Sequence, residues 1–270
     1  MPRIFGAPAS VDAERPSCVP PQSDGTRCFI FIKITMKILY IFPHPDDESF
    51  GPAPAIAAQK RAGHEVYLLT LTKGEATKQR HRLGVSKEEM GEIRFKEMQC
   101  VEKVLELDGM TVLDLSDSGL KEMDPRDIEN IIEDHINKVK PNVVVTYAVH
   151  GVSGFEDHLV QHAVVKRVYC AMKDEGHDYL KRLAFYTHYS EKEVESKFNL
   201  KSSKLEEIDC WVETREADMQ KFYDALDCYE TYQQVIEDSG VRDAVGGKVP
   251  FEFFQENFDP PIDDIVDKLE

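Results

Sequence analysis

Met36-Lys37-Ile38-Leu39-Tyr40-Ile41-Phe42-Pro43-His44-Pro45-Asp46-Asp47-Glu48 decides how the chain is read. The first half is a near-continuous apolar run, the pattern of a parallel strand buried on both faces. The second half packs a histidine and three carboxylates into five residues directly after that strand. Gathered in a strand-to-helix loop, such groups repel one another unless a cation holds them, so the segment reads as a metal-binding loop. The plainer alternative is a solvated acidic turn whose carboxylates favour the N-terminus of the next helix.

Working outward, short apolar runs alternate with amphipathic segments of helical length. Strands are expected at Ile38 to Phe42, Val66 to Thr72, Thr111 to Leu115 and Val143 to Tyr147, with helices at Pro54 to Ala62, Lys87 to Leu107, Pro125 to Lys140 and His158 to Lys173. Later strands are expected at Leu183 to His188 and Ile208 to Thr214, and a helix at Arg215 to Tyr232. This rhythm predicts a Rossmann-like α/β fold, three layers α/β/α around a mostly parallel sheet, with ligands at the carboxyl ends of the strands. Residues 1–35, punctuated by five prolines, read as a disordered extension, although Phe29 to Thr35 could instead form an edge strand or dock on the core. Residues 36–258 form the expected domain, and 259–270 an acidic, solvated tail.

Composition narrows the function. Of 270 residues, 33 are basic and 50 acidic, a net charge of −17 that disfavours nucleic acid and anionic membranes as partners. No apolar stretch approaches the ~20 residues that span a bilayer, and no secretory signal is evident, so a cytoplasmic location is expected. The six cysteines are scattered without a C-x-x-C pair and read as free thiols. A nucleotide-binding domain would need G-x-G-x-x-G or G-x-x-x-x-G-K-[ST], and neither occurs.

A second cluster, Gly154-Phe155-Glu156-Asp157-His158-Leu159-Val160-Gln161-His162, follows another buried strand. His158 and His162 share a helix face, which suits a metal pair or merely a capped first turn. Two clusters at the ends of two parallel strands meet in one crevice, which strengthens the metal reading.

On these residues the chain resembles the LmbE-like (PIG-L) family of zinc-dependent N-acetylglucosaminyl deacetylases. His44-Pro45-Asp46-Asp47-Glu48 matches that family's H-P-D-D-E, Gly154 to His158 stands where it carries G-H-P-D-H, Thr72-Lys73-Gly74-Glu75 resembles its T-x-G-E, and Arg94 and Glu97 its R-x-x-E, over about residues 37–235. The resemblance implies that His44, Asp47 and His158 ligate Zn2+, with a bound water as nucleophile and Asp46 as general base. The substrate implied is a small amino-sugar molecule that loses its N-acetyl group. Two imidazoles and one carboxylate leave a position open, the catalytic pattern for zinc; the same set suits Fe2+. Asp157 would orient a histidine.

Two departures stand out. The first histidine of G-H-P-D-H is Phe155 and the proline is Glu156, which removes a donor to the oxyanion; His150 or His188 could replace it. Gly51-Pro52-Ala53-Pro54-Ala55 stands where a Gly-Gly-Thr run is common. Arg94 is read either as a substrate contact or as an ion-pair partner of Glu92 or Glu97, and Tyr147 and Trp211 either as sugar-stacking faces or as core. Rival readings are an amidase acting on a sugar-linked thiol conjugate and a weakly active metal-binding module. Members of that family often associate, which leaves a homo-oligomer open, and no sustained heptad or exposed apolar stripe here decides it.

Overall fold

The computed structural model describes residues 35–190 and 200–269. The expected extension over residues 1–35, with its alternative edge strand, lies outside the described residues apart from Thr35. The elements in order are β1 (Lys37–Phe42), α1 (Ala53–Ala62), β2 (Glu65–Thr72), α2 (Gln79–Leu83), α3 (Lys87–Leu105), β3 (Gly109–Leu115), α4 (Pro125–Val139), β4 (Val143–Tyr147) and α5 (Glu156–Asp174). There follow β5 (Arg182–Tyr186), β6 (Cys210–Glu213), α6 (Glu216–Asp227), α7 (Gln233–Ser239), α8 (Val241–Ala244) and β7 (Lys248–Phe253). Among the described residues they build a seven-stranded sheet ordered β3-β2-β1-β4-β5-β7-β6. The first five strands are mutually parallel, while β7 runs antiparallel to both β5 and β6.

The alternation of side chains along β1 explains the layers. Ile38, Tyr40 and Phe42 face a core shared with Ile56 of α1, Val101 of α3 and Phe222 of α6. Leu39 and Ile41 face the other core, with Ile128 and Ile132 of α4 and Val165 of α5. All five β1 residues from Ile38 to Phe42 are fully buried, which is why the strand is apolar without alternation. Each such side chain contributes about 1.5–3 kcal/mol by leaving water.

The helix ends follow local chemistry. Ser86 caps α3 by accepting from the Glu89 amide while Glu89 returns the bond to the Ser86 amide, a reciprocal capping box. Gly63 ends α1 in the left-handed conformation, and Asp124 caps α4 ahead of Pro125.

Three expectations need correction. The strand β7 was not anticipated, because Pro250 interrupts what is otherwise an alternation of buried Val249, Phe251 and Phe253. The C-terminal segment is not a solvated tail: Ile265 is fully buried, Ile262 bridges to Cys210, and Arg182 donates to the carbonyls of Ile265 and Asp267. Cys100 and Cys228 are not free thiols but are joined in a disulfide, whereas Cys170 and Cys210 are free. Such bonds are rare in reducing compartments, so this pairing and the expected cytoplasmic setting pull in opposite directions. Among the described residues no helix is long and apolar enough to cross a membrane.

Helices α1 and α6 are tied by Arg61, which donates twice from Nε (3.0 and 3.1 Å) and once from Nη2 (2.7 Å) to the Asp218 carboxylate. Burial alone would raise the Asp218 pKa, but Arg61 and the Arg215 amide outweigh it and hold the group below the usual carboxylate range. A pKa lowered by folding adds stability that is complete above about pH 4 and lost as pH falls through the folded value. Asp218→Asn is expected to cost about 1–2 kcal/mol at pH 7 in urea unfolding, and the gap from the wild type should close below pH 4. A gap that stays constant over that range would contradict the assignment.

Candidate metal centre

In the strand order the direction of progression reverses between β1 and β4, and the loops after these two strands meet at that point. His44, Asp46 and Asp47 come from the loop after β1, and His158 from the first turn of α5, the helix after β4. They line the floor of a cavity of about 740 Å³, the size of a small-molecule site.

Three ligand-type side chains converge. His44 Nδ1 lies 3.4 Å from Asp47 Oδ2, and His158 Nε2 lies 3.4 Å from Asp47 Oδ1. His158 Nδ1 is 2.9 Å from the Gly151 carbonyl, to which it donates; its Nε2 then carries a lone pair. That Nε2 is buried and has no hydrogen-bond partner. A buried lone pair aimed at a carboxylate is a poor arrangement without a cation between them, so the donor set of His44, Asp47 and His158 fits a divalent metal. The rings of Tyr147 and His158 stack at 4.3 Å with 9° between their planes, and the Tyr147 hydroxyl donates to Asp47 Oδ1 at 2.8 Å.

The far side of His44 is acidic. Its Nε2 is 3.2 Å from Asp157 Oδ2 and 3.3 Å from Asp117 Oδ1. Asp157 is itself fixed by the Ser118 amide (2.8 Å) and the Leu120 amide (3.3 Å), and Asp117 by the Ala76 amide (2.7 Å). Burial opposes a charge on His44, but Asp157 and Asp47 prevail and push its pKa up to about 10. Burial likewise works to raise Asp47, yet His158, His44 and Tyr147 together hold it below the usual range. The pocket floor is therefore a field that favours positive charge.

Asp46 is set apart. Its φ of 89° lies in the left-handed region, which costs a residue with a side chain about 1–3 kcal/mol. Its carboxylate pairs with Arg94 Nη2 at 3.1 Å, its carbonyl accepts the amides of Ser49 and Phe50, and its amide donates to Tyr229 Oη at 2.8 Å. Burial raises the Asp46 pKa to about 7, with Arg94 pulling the other way. Arg94 is almost fully buried and lies over the Tyr232 ring at 3.7 Å. Of its anticipated ion-pair partners, Glu92 pairs instead with Lys73, and Glu97 accepts from Thr231.

The remaining candidates separate. His188 lines the cavity, and burial keeps its pKa below that of a free imidazole. His150 does not line it: Nδ1 accepts from the Val152 amide, and Nε2 is shared between Ser203 Oγ (3.0 Å) and Thr187 Oγ1 (3.2 Å). His162 bonds to the Tyr147 carbonyl at 2.8 Å and packs on Phe185, away from the cluster. Tyr147 faces the cavity, whereas Trp211 packs against Tyr189 outside its lining. Phe155 stands at the mouth, 55% exposed, with its edge against His158. Three partners escaped the sequence reading: Asp117, Tyr186 and Tyr229. Asp117 was within reach, since it sits after the third parallel strand, where the same carboxyl-edge rule applies.

The family model described as PIG-L, GlcNAc-PI de-N-acetylase, matches residues 39–169. Over those residues the chain is similar to the PIG-L (LmbE-like) family. A probable N-acetyl-alpha-D-glucosaminyl L-malate deacetylase of Bacillus subtilis is 31% identical over 143 residues, covering 51% of this chain and 63% of that protein. A 1D-myo-inositol 2-acetamido-2-deoxy-alpha-D-glucopyranoside deacetylase of Thermomonospora curvata is 28% identical over 162 residues, covering 52% and 54%. The chain thus spans between half and two thirds of these relatives' own lengths. Among solved structures, a deacetylase of the teicoplanin biosynthesis pathway superposes with a TM-score of 0.63 over 82% of this chain and all of that one. At 14% identity it shows the fold alone. The PIG-L match ends within α5, so the wall that His188 and the later helices supply lies beyond it.

One backbone position makes the site possible. Gly51 has a φ of 147°, and a Cβ there would sit 1.7 Å from the Tyr186 hydroxyl, which also faces the cavity. Gly51→Ala is expected to lower the thermal midpoint by several degrees, whereas Gly246→Ala, which meets nothing within 4 Å, should leave it within about one degree. Equal midpoints for the two variants would contradict the close approach.

Proposed function

We propose that this protein is a metal-dependent hydrolase that removes the N-acetyl group from a small N-acetylglucosamine-containing molecule. The observation that carries the reading is the convergence of His44, Asp47 and the unpartnered Nε2 of His158 on one buried point beside Asp46. The PIG-L match over residues 39–169 and the deacetylase relatives support it.

In this reading His44, Asp47 and His158 hold the cation, Zn2+ or Fe2+. Such an ion supplies Lewis acidity, making water more acidic and an amide carbonyl more electrophilic. Asp46, with a pKa raised toward neutrality, accepts a proton from the attacking water and returns it to the departing amine. Arg94 keeps the Asp46 carboxylate turned into the cavity. Asp157 fixes the ring of His44 from behind, and Gly151 fixes that of His158. Phe155 offers no hydrogen bond where the family carries an imidazole, and of the two proposed replacements only His188 faces the cavity with a ring neutral at pH 7. We assign His188 as donor to the developing oxyanion. The role expected of His150 passes to it, because both His150 ring nitrogens are engaged, one by the Val152 amide of its own loop and the other by Ser203 and Thr187.

The test is elemental analysis of the purified protein alongside a fluorescamine assay for amine released from N-acetylglucosamine derivatives. About one metal per chain and metal-dependent release are expected. Asp46→Asn should retain the metal and lose about 10²- to 10⁴-fold in kcat, while His158→Ala should lose both metal and turnover. Metal without release from any amide offered would point to a binding module, and undiminished turnover in Asp46→Asn would remove Asp46 from the chemistry.

A further inference from the structure

Tyr229 has no counterpart in the motifs of the sequence. It follows α6, 183 residues from Asp46, yet its ring is fully buried and its hydroxyl reaches the underside of the β1 loop. There it has two partners. The Asp46 amide donates to Tyr229 Oη at 2.8 Å, and Oη donates to Glu48 Oε1 at 2.6 Å. The direction of both bonds is fixed, because an amide only donates and the lone pair it meets leaves the hydroxyl proton for the carboxylate. Glu48 is fully buried, takes a second bond from Ser49 Oγ on the same oxygen, and has no partner on Oε2. A buried carboxylate with one bare oxygen is a costly feature to place beneath a loop, and what it does there is hold the Tyr229 hydroxyl in one orientation.

The residue held is the strained one. Asp46 keeps its φ of 89° only because its amide, its carbonyl and the preceding Pro45 carbonyl are all engaged, by Tyr229, by the Ser49 and Phe50 amides, and by Arg94. Among the described residues, Tyr229 supplies the only bond to that amide. We infer that Tyr229, oriented by Glu48, is a positioning residue that fixes the backbone of Asp46 so that its carboxylate faces the metal-ligand cluster. The inference rests on the hydrolase reading for its kinetic consequence, though not for its structural one.

Tyr229→Phe removes a single oxygen and tests it. The expected result is a kcat lower by about 10- to 100-fold, with KM within about twofold and metal content unchanged, because the ligands His44, Asp47 and His158 are left in place. A role limited to stability would lower the melting temperature and leave kcat per metal-loaded site as in the wild type, which would overturn the inference. A crystal structure of Tyr229→Phe gives a reading independent of turnover: Asp46 should leave the left-handed region or its carboxylate should part from Arg94, and an unmoved Asp46 overturns the inference. If the wild type releases no amine, the hydrolase reading fails while that structure still decides the positioning claim. Should Tyr229→Phe not fold, amide hydrogen exchange on the wild-type chain reads the same bond. Protection of the Asp46 amide by at least about 100-fold is expected, and exchange at the rate of an unstructured loop overturns the inference.

Discussion

Three buried carboxylates, Asp47, Asp117 and Asp157, lie within 3.2–3.4 Å of a single imidazole, that of His44. Such a gathering of negative charge opposes folding unless something positive sits among it. The rest of the architecture is arranged to tolerate it. Backbone amides of Ala76, Ser118, Leu120 and His44 itself donate to these carboxylates, and Tyr147 donates to the most central of them. The amides come from loops at the carboxyl ends of β1, β2 and β3, so the parallel sheet both creates the crowding and supplies the donors that offset it.

The two faces of the site divide the labour. On one side Asp157 and Gly151 lock the outer nitrogens of His44 and His158, leaving the inner ones directed at Asp47. On the other, Arg94 and Tyr229 grip Asp46 by its carboxylate and its amide. Helix α3 and the segment after α6, which carry these last two residues, are joined by Cys100–Cys228 and by Thr231 donating to Glu97. The mount of Asp46 is thus built from parts of the chain more than a hundred residues apart, while the ligands lie in two short motifs.

That division explains what was legible in the sequence. Strands β1, β2, β4 and β5 announce themselves as apolar runs because both of their faces are covered, and α1 and α4 stop at Gly63 and just before Pro141. His44, Asp46, Asp47, Asp157 and His158 could be named because a parallel sheet delivers the loops after β1 and β4 to one crevice. The antiparallel half of the sheet follows no such rule. In β7 a proline masks the alternation, and the buried Ile265 is hidden among acids that look solvated. Disulfide pairing and the reach of Tyr229 depend on tertiary proximity alone. His150 and His188 were equivalent as loop histidines, and only the folded loop shows that Thr187, Ser203 and Val152 engage one and leave the other facing the cavity.

Charge converges on one point defined by His44, Asp47 and His158, and anomalous X-ray diffraction from a crystal soaked in zinc reads whether a cation sits there. One strong peak is expected within bonding distance of His44 Nδ1, an Asp47 oxygen and His158 Nε2, about 2.0–2.2 Å from each. A peak instead between His44 Nε2, Asp117 and Asp157, the second group of potential ligands, or no peak at either place, would contradict it.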